Sequence, residues 1–162
     1  GEGDSRSGVS TQIAVFKASA SPKSEANPDG NGGFYIGRYE QGTGNVCKYN
    51  QIPRATVTIY MTKSNAKAMY GEESSVVSEL ISSYAWDTAL NFICQTNSAG
   101  YTLATTTSSS YGNIGTGNKQ NTGAYSADQY SNIHDLLGNC WEWTTEYAGN
   151  GNCVARGGCF RR

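Results

Sequence analysis

The sequence predicts a loop-rich globular domain that combines a few strands with little helix. An amphipathic helix is predicted over 83–95, because its apolar residues recur at steps of three and four, with Ser82 or Ser83 as the N-cap. Aromatic and β-branched residues at 34–40 predict a buried strand, and alternating apolar and polar residues at 53–62 predict another. Gly, Ser, Thr and Asn account for 67 of the 162 residues, which is typical of long loops between such elements.

The composition argues against several classes of protein. Lys and Arg number 12 against 13 Asp and Glu, so there is no basic excess that would bind nucleic acid through its phosphates. No apolar run approaches the roughly 18 residues of a membrane span. The 11 tyrosines and the net charge of −1 distinguish the chain from disordered sequences, which have few aromatic residues and a high net charge. A folded domain with a tyrosine-rich interior or binding face is therefore expected.

The N-terminal region differs from the rest of the chain in composition. Residues 1–32 are expected to form a partly flexible arm, because they are rich in Ser, Gly, Asn and Pro. Within this arm, the apolar residues 13–16 are consistent with a short strand or a helical turn. The turn-rich residues 27–33 end the arm, so the folded domain is predicted to cover 33–162.

Two further segments follow the predicted strands. Ser64 is expected to cap a short helix that continues through Tyr70. Residues 96–128 form a long stretch of low complexity that includes many Ser, Thr, Gly and Asn residues. A loop of this length inside a compact domain is usually functional or held by a ligand or an ion.

The cysteines do not form a recognisable metal or redox motif. Their number is five, and no two are arranged as C-x-x-C, which argues against zinc fingers and thioredoxin-like sites. Three of them fall within the last 23 residues, so the alternatives are one disulfide there or free, mostly buried thiols. The five are Cys47, Cys94, Cys140, Cys153 and Cys159.

The most specific pattern in the sequence lies near its C-terminus. Residues 132–144 read Asn-Ile-His-Asp-Leu-Leu-Gly-Asn-Cys-Trp-Glu-Trp-Thr, and residues 154–160 read Val-Ala-Arg-Gly-Gly-Cys-Phe. These segments resemble the G-L-Y-D-M-x-G-N-V-W-E-W-T … R-G-G-S-[FW] signature of the formylglycine-generating enzyme (sulfatase-modifying factor) family. Residues 34–40 resemble an early strand of that family, and Trp86 resembles the Trp of its L-P-T-E-A-E-W helix. The resemblance implies an α+β, C-type-lectin-like fold, truncated relative to the family at its C-terminus.

The resemblance also implies a structural calcium ion at the Gly-Asn-x-Trp-Glu-Trp element. Carried onto this chain, the ligands would be the backbone carbonyls of Leu137, Gly138 and Cys140 and the carboxylate of Glu142. Such a set suits calcium, which takes roughly six to eight hard oxygen ligands, backbone carbonyls among them. The alternative is that Glu142 pairs with Arg156 or caps a turn while the neighbouring tryptophans pack in the core.

Other residues of the motif are expected to have structural roles. Arg156 would stabilise the turn that follows it by pairing with Glu142 or Glu40. A second calcium site of the family uses an Asn-Ile pair, which Asn113-Ile114 matches weakly. His134, the single histidine, is expected to be a hydrogen-bonded structural residue beside the core. The predicted aromatic core consists of Tyr35, Tyr39, Trp141 and Trp143.

The family's oxidase activity is not expected in this chain. That activity converts a substrate cysteine to formylglycine with two cysteines, a copper ion and oxygen, and soft thiolates are the ligands that Cu(I) requires. The resemblance places those cysteines beyond the R-G-G-S-[FW] segment, where this sequence ends at Arg162. Cys159 replaces the serine of the motif rather than a catalytic cysteine. No copper is therefore expected, and the alternative is an oxidase whose catalytic cysteines are lost by truncation.

A binding role is the favoured interpretation. The sequence looks most like non-catalytic members of the family, such as variable proteins of diversity-generating retroelements and receptor-binding proteins of phages and bacteria. These imply a protein or glycan ligand at a cell or virion surface, with an extracellular or virion location. Tyr, Asn and Gly suit such a surface, because Tyr offers a large contact area at low entropic cost. The expected ligand-binding residues are Tyr147, Asn150, Asn152, Cys153, Cys159, Phe160 and Arg161.

Overall fold

The structure is a computed structural model that describes residues 10–12, 14–18, 34–70, 76–97, 102, 108–149 and 151–161. Helices and strands both occur within these residues, which confirms the α+β class. In chain order the elements are β1 (Ser10–Gln12), β2 (Ala14–Ala18), β3 (Tyr35–Ile36), α1 (Ile59–Lys67), β4 (Val76–Leu80), α2 (Ser83–Thr96), β5 (Gln129–Tyr130), β6 (Ile133–His134), β7 (Trp141–Gly149) and β8 (Asn152–Arg156).

The described strands form two three-stranded sheets and one two-stranded ribbon. The first sheet has the order β1-β7-β8, in which β1 is parallel and β8 antiparallel to β7. The second has the order β3-β2-β4 and is antiparallel, and β5 pairs with β6. Both β1 and β2 lie inside the region 1–32 that was expected to be a separate arm. They pair with strands of the remaining chain, β1 with β7 and β2 with β3 and β4.

Helix α2 confirms the sequence prediction. Its N-cap is Ser82, whose hydroxyl accepts a hydrogen bond from the backbone N–H of Ala85 at 3.1 Å. One face of the helix is buried and packs with the residues that precede it and with the segment before β7. This principal core consists of Ile81, Ala85, Trp86, Ala89, Ile93, Ile133, Leu136 and Leu137.

Helix α1 replaces the strand that was expected at 53–62. Its N-cap is Thr58, whose side chain accepts a hydrogen bond from the backbone N–H of Met61 at 3.3 Å. Two fully buried residues, Thr62 and Ala66, lie four positions apart and therefore on one helix face. That face packs against β4, where the Ser78 hydroxyl donates to the carbonyl of Ala66 at 2.6 Å. Packing of this helix face outweighs the β-propensity of residues 59–62.

The aromatic residues expected in the core differ in burial. Trp143 is buried in a second core with Val57, Leu80 and Cys153, and its indole N–H donates to the carbonyl of Val57 at 3.1 Å. Trp141 and Tyr39 are half-buried. Tyr35 is 80% exposed, so its assignment to the core is wrong. The expected strand 34–40 shortens to the two residues of β3 at a sheet edge, where side chains alternate between the core and the solvent.

The start of α1 predicts different effects for two hydroxyl residues. Thr58→Ala removes the N-cap acceptor and should lower the free energy of unfolding by about 1 kcal/mol. Ser64, once expected to be the cap, is exposed inside the helix. Ser64→Ala should therefore leave stability unchanged or raise it by a few tenths of a kcal/mol, roughly the difference in helix propensity. Urea denaturation of both variants measures these effects, and a larger loss for Ser64→Ala would contradict the assigned helix start.

Candidate functional site

The Glu142 carboxylate is the centre of the candidate site. Glu142 is the second residue of β7 and has no exposed surface. Apart from its own backbone N–H, no donor among the described residues reaches either carboxylate oxygen. Burial raises the pKa of Glu142 well above its ordinary value, and the nearby carboxyl groups of Glu40 and Asp128 raise it further. Such a group must hold a proton or bind a cation.

The backbone around Glu142 leaves room for little else. A Cβ atom at Gly157 would overlap the Glu142 carboxylate and would lie 2.8 Å from the carbonyl oxygen of Leu136. Gly157 also has a φ of +92°, which disfavours any residue with a side chain. The carboxylate and the Leu136 carbonyl therefore lie close to the same point. Both groups are acceptors, and neither can donate a hydrogen bond to the other. A cation between them would be attracted by both oxygens.

Three other buried carboxyl groups, those of Glu40, Asp128 and Asp135, raise the pKa of Glu142. Burial is the main cause that raises the pKa of Glu40 and of Asp128 well above ordinary values, and it raises the pKa of Asp135 to about 6. Hydrogen bonds offset part of this cost. The backbone N–H of Gly123 donates to Asp135 at 2.6 Å, and that of Cys140 donates to Glu40 at 3.1 Å. The ion pairs seen among the described residues do not involve these four groups.

Asn139 connects this cluster to the long loop, and no separate role was predicted for it. Its side-chain N–H₂ donates to the carboxylate of Glu40 at 2.7 Å and to the carbonyl of Gln120 at 3.2 Å. Its side-chain oxygen accepts hydrogen bonds from the Asn113 side chain and the Gln120 backbone, each at 2.9 Å. Asn139 has a φ of +54°, a conformation that Asn tolerates better than most residues. An Asn directly after Gly138 was the available signal.

The expected calcium ligands are brought together only in part. The carbonyl of Leu137 faces Gly112, where an added Cβ would overlap it, while the carbonyl of Leu136 is the one beside Glu142. Gly138 packs against the backbone of Asn113. Within the described residues, no three side chains of His, Cys, Asp or Glu are grouped as a metal site. A cation at Glu142 would therefore depend on backbone carbonyls for most of its ligands, and Leu136 joins Leu137, Gly138 and Cys140 as a candidate.

The weaker second calcium match is also buried. Asn113 and Ile114 are both inaccessible to solvent. The side chain of Asn113 donates to the carbonyl of Asn118 at 3.0 Å as well as to Asn139, and its side-chain oxygen accepts from the Thr116 hydroxyl. Its backbone N–H donates to Asp128 at 3.4 Å. The side chain of Asn113 thus holds the loop to the motif through protein contacts.

Arg156 does not pair with Glu142 or Glu40, so both expected partners are wrong. Its guanidinium forms ion pairs with Asp87 at 3.0 Å and Glu146 at 3.2 Å. It also donates to the Ser83 hydroxyl at 3.3 Å and lies 5.7 Å from the ring centroid of Trp86. Arg156 thus joins the base of the β7–β8 hairpin to the first turns of α2.

His134 is buried, as expected, but the expectation that its ring is hydrogen-bonded is not met. Its ring stacks on Tyr39 with 4.7 Å between centroids, and neither ring nitrogen has a hydrogen-bond partner among the described residues. Burial lowers the pKa of His134, and the positive charge of Arg38 lowers it further. A neutral imidazole stacked on tyrosine is a packing residue rather than a proton-transfer group.

The expected ligand-binding residues do not share one surface. Tyr147 is 67% exposed and Asn152 is exposed near the tip of the β7–β8 hairpin, whereas Arg161 is exposed beyond its base. Asn150 lies outside the described residues. Three other assignments are corrected, because apolar packing buries these side chains away from any ligand. They are Cys153, Cys159 and Phe160.

The cysteines near the C-terminus are thiols. Cys140, Cys153 and Cys159 are buried, and within the described part of the chain none of the three forms a disulfide. This favours the second of the two alternatives left open by their spacing. Burial raises the pKa of the Cys140 thiol, and the neighbouring Glu40 carboxyl raises it further.

Gly157 offers a test of the space beside Glu142. Gly157→Ala should lower the free energy of unfolding by about 2–5 kcal/mol, since the unfavourable φ and the overlap with the carboxylate add. Gly44 is the matched control, because its φ is +85° and no atom lies within 4 Å of an added Cβ. Gly44→Ala should cost only the conformational part, about 1–2 kcal/mol. Equal losses in urea denaturation would contradict the close packing at Glu142.

No helix among the described residues is long and apolar enough to span a membrane. Comparison of the chain with protein-family models, with curated proteins and with solved structures finds no match.

Proposed function

We propose that this chain is a non-catalytic ligand-binding or display domain on a C-type-lectin-like scaffold. Retroelement-diversified variable proteins and receptor-binding proteins of phages or bacteria are the models for this role, with a protein or glycan ligand at a cell or virion surface. The observation that carries the proposal is the change of burial along β7. Residues 142–144 are buried, whereas residues 145–148 are exposed. One strand thus belongs to the core at one end and is presented to solvent at the other.

The exposed part of the hairpin has the chemistry of a contact surface. Tyr147 contributes a large amphipathic ring, and its hydroxyl accepts a hydrogen bond from the backbone N–H of Gly151 at 3.0 Å. Gly149 and Gly151 both have positive φ and open space where a side chain would lie. The pairing of β7 with β8 is irregular from Trp143 onwards. Because few neighbours constrain this segment, it can accept sequence changes that a core strand cannot.

The base of the hairpin is held rigidly. The hydroxyls of Ser83 and Thr144 are 3.0 Å apart, and the backbone N–H of Thr145 donates to the carbonyl of Ile81 at 3.0 Å. The ion pairs of Arg156 add to these contacts. A contact surface on a fixed base loses less conformational entropy when it binds, which favours affinity.

A calcium ion at Glu142 would stabilise the buried end of this strand. Glu142, the carbonyl of Leu136 and the expected carbonyls of Leu137, Gly138 and Cys140 are hard oxygen donors of the kind that calcium prefers. The support is the buried carboxylate that lacks a donor other than its own N–H. When bound, the ion would supply the positive charge that the described residues do not place there.

The three thiols near the C-terminus lend no support to an oxidase. Copper-dependent formation of formylglycine needs accessible thiolates, and a thiol with a raised pKa remains protonated. Cys140 is such a thiol, and Cys153 and Cys159 are likewise buried in apolar surroundings. Nothing in the geometry of these three residues favours the oxidase alternative.

The display proposal predicts that the hairpin tip tolerates variation. A surface-display library randomised at Thr145, Tyr147, Ala148 and Asn152 should yield mostly folded proteins, because exposed substitutions usually change stability by about 0.5 kcal/mol or less. Selection against hen lysozyme as a test ligand should then yield clones that lose binding when the four positions are restored.

A matched library at the buried positions Thr144 and Cys153 should yield mostly unfolded proteins. The readouts are resistance to protease and binding to lysozyme. Equal folding losses in the two libraries, or no lysozyme-binding clone from the first, would contradict the display role.

The calcium proposal predicts a metal-dependent melting temperature. At a calcium concentration of about 100 times Kd, binding should stabilise the fold by about 2.7 kcal/mol, which raises Tm by roughly 5–10 °C relative to a chelator. Glu142→Gln should abolish this shift while remaining at least as stable in the chelator, since the amide is neutral without a bound proton or cation. Glu146→Gln, at an exposed position of the same strand, should keep the shift. Identical wild-type melting curves with calcium and with chelator would overturn the proposal.

A further inference from the structure

A second exposed surface lies at the opposite end of β7 from the hairpin tip. The loop residues Gly115–Lys119, together with Trp141 and Arg161, define what is here named the basic corner. The backbone N–H of Gly117 donates to the carbonyl of Phe160 at 2.7 Å, and that of Gly115 donates to the carbonyl of Cys159 at 3.3 Å. These bonds hold the loop directly beside Arg161.

Asn139 brings the two cations of the basic corner together. Its side-chain oxygen accepts from the backbone N–H of Gln120, and its backbone carbonyl accepts from the N–H of Phe160, each at 2.9 Å. Lys119 precedes the first of these residues, and Arg161 follows the second. Both side chains are exposed. Lys119 and Arg161 therefore directly adjoin two residues whose backbones are bonded to the buried Asn139.

Acidic side chains are lacking from the segments that build the corner. No Asp or Glu occurs between residues 88 and 127 or after residue 146. Glu40, the carboxyl group in contact with Asn139, is fully buried rather than exposed beside the two cations. Although the whole chain has a net charge of −1, the charged side chains among the residues that define the corner are Lys119 and Arg161, both positive. A local positive potential attracts anionic ligands.

The corner also offers flat, preorganised contacts. The Arg161 guanidinium lies 5.5 Å from the ring centroid of Phe160, which restricts its position before a ligand arrives. Trp141 is half-buried and packs against Phe160 and Cys159. Gly115 and Gly117 leave open space where side chains would otherwise stand. A planar guanidinium suits bidentate contact with a carboxylate or sulfate group, and the partly exposed indole suits the apolar face of a ring.

We propose that the basic corner binds an acidic saccharide, one that carries carboxylate or sulfate groups. Two cationic side chains, Lys119 and Arg161, beside the Trp141 ring suit a short acidic sugar. A nucleic acid would require a longer row of Lys and Arg along its phosphates. The exposed side-chain amide of Asn118 can form hydrogen bonds with the hydroxyl groups of such a sugar. The site extends the proposed binding function to a surface that does not include the hairpin tip.

Calorimetric titration with a heparin-derived hexasaccharide tests the proposal. The wild-type protein should bind it, and a desulfated, carboxyl-reduced hexasaccharide should not bind. Arg161→Ala and Lys119→Ala should each weaken binding by about tenfold, the loss expected for one charged hydrogen bond. Lys63→Ala removes one exposed positive charge from α1 and should leave the affinity unchanged. Unchanged melting temperatures establish that each variant is folded.

Three results would overturn the proposal. The first is no binding of the acidic hexasaccharide at millimolar concentration, and the second is equal weakening by Lys63→Ala. The third is equally tight binding of a single-stranded DNA oligonucleotide of matched charge, which would indicate unselective attraction of polyanions. Tyr147→Ala separates the two surfaces, because it should leave hexasaccharide binding intact even if the hairpin library fails.

Discussion

The carboxylate of Glu142 is buried at the start of β7 with almost no hydrogen-bond donor, and its surroundings are organised by that constraint. An isolated buried charge is too costly to persist, so the group must be neutralised by a proton or a cation. Gly157 is needed because a side chain there would overlap the carboxylate. Asn139 and the backbone N–H of Cys140 donate instead to the neighbouring Glu40.

The β7–β8 hairpin combines a packed base with an exposed tip along a single pair of strands. At the base, Trp143 is packed in a core and Arg156 is fixed by two carboxylates of neighbouring elements. Five residues further along, the chain is exposed and irregularly paired. Changes at the tip therefore have little access to the contacts that hold the fold together. This arrangement suits a protein whose surface must vary while its interior does not.

The sequence predicted the parts of the molecule that depend on local periodicity. Helix α2 follows from its apolar spacing and its serine cap. Tertiary contacts decided the rest. The last four residues of the alternating segment 53–62 became the start of a helix, because the face that carries Thr62 and Ala66 packs on β4. Long-range pairing could not be read from spacing either. Arg156 forms an ion pair with Asp87, which lies 69 positions earlier in the chain. It does not pair with Glu142, its direct neighbour across the strands.

The parallel pairing of β1 with β7 has a consequence for how the protein is made. Ser10 lies opposite Trp141, so two segments about 130 residues apart in sequence must meet before the first sheet is complete, and such non-local contacts slow folding. During synthesis on the ribosome, β1 emerges long before β7 and cannot pair with it until β7 has been made. The hairpin strand is thus inserted late, between a strand translated early and a strand translated immediately afterwards. Until then the nascent chain exposes an unpaired strand edge, which makes this period the one most vulnerable to aggregation.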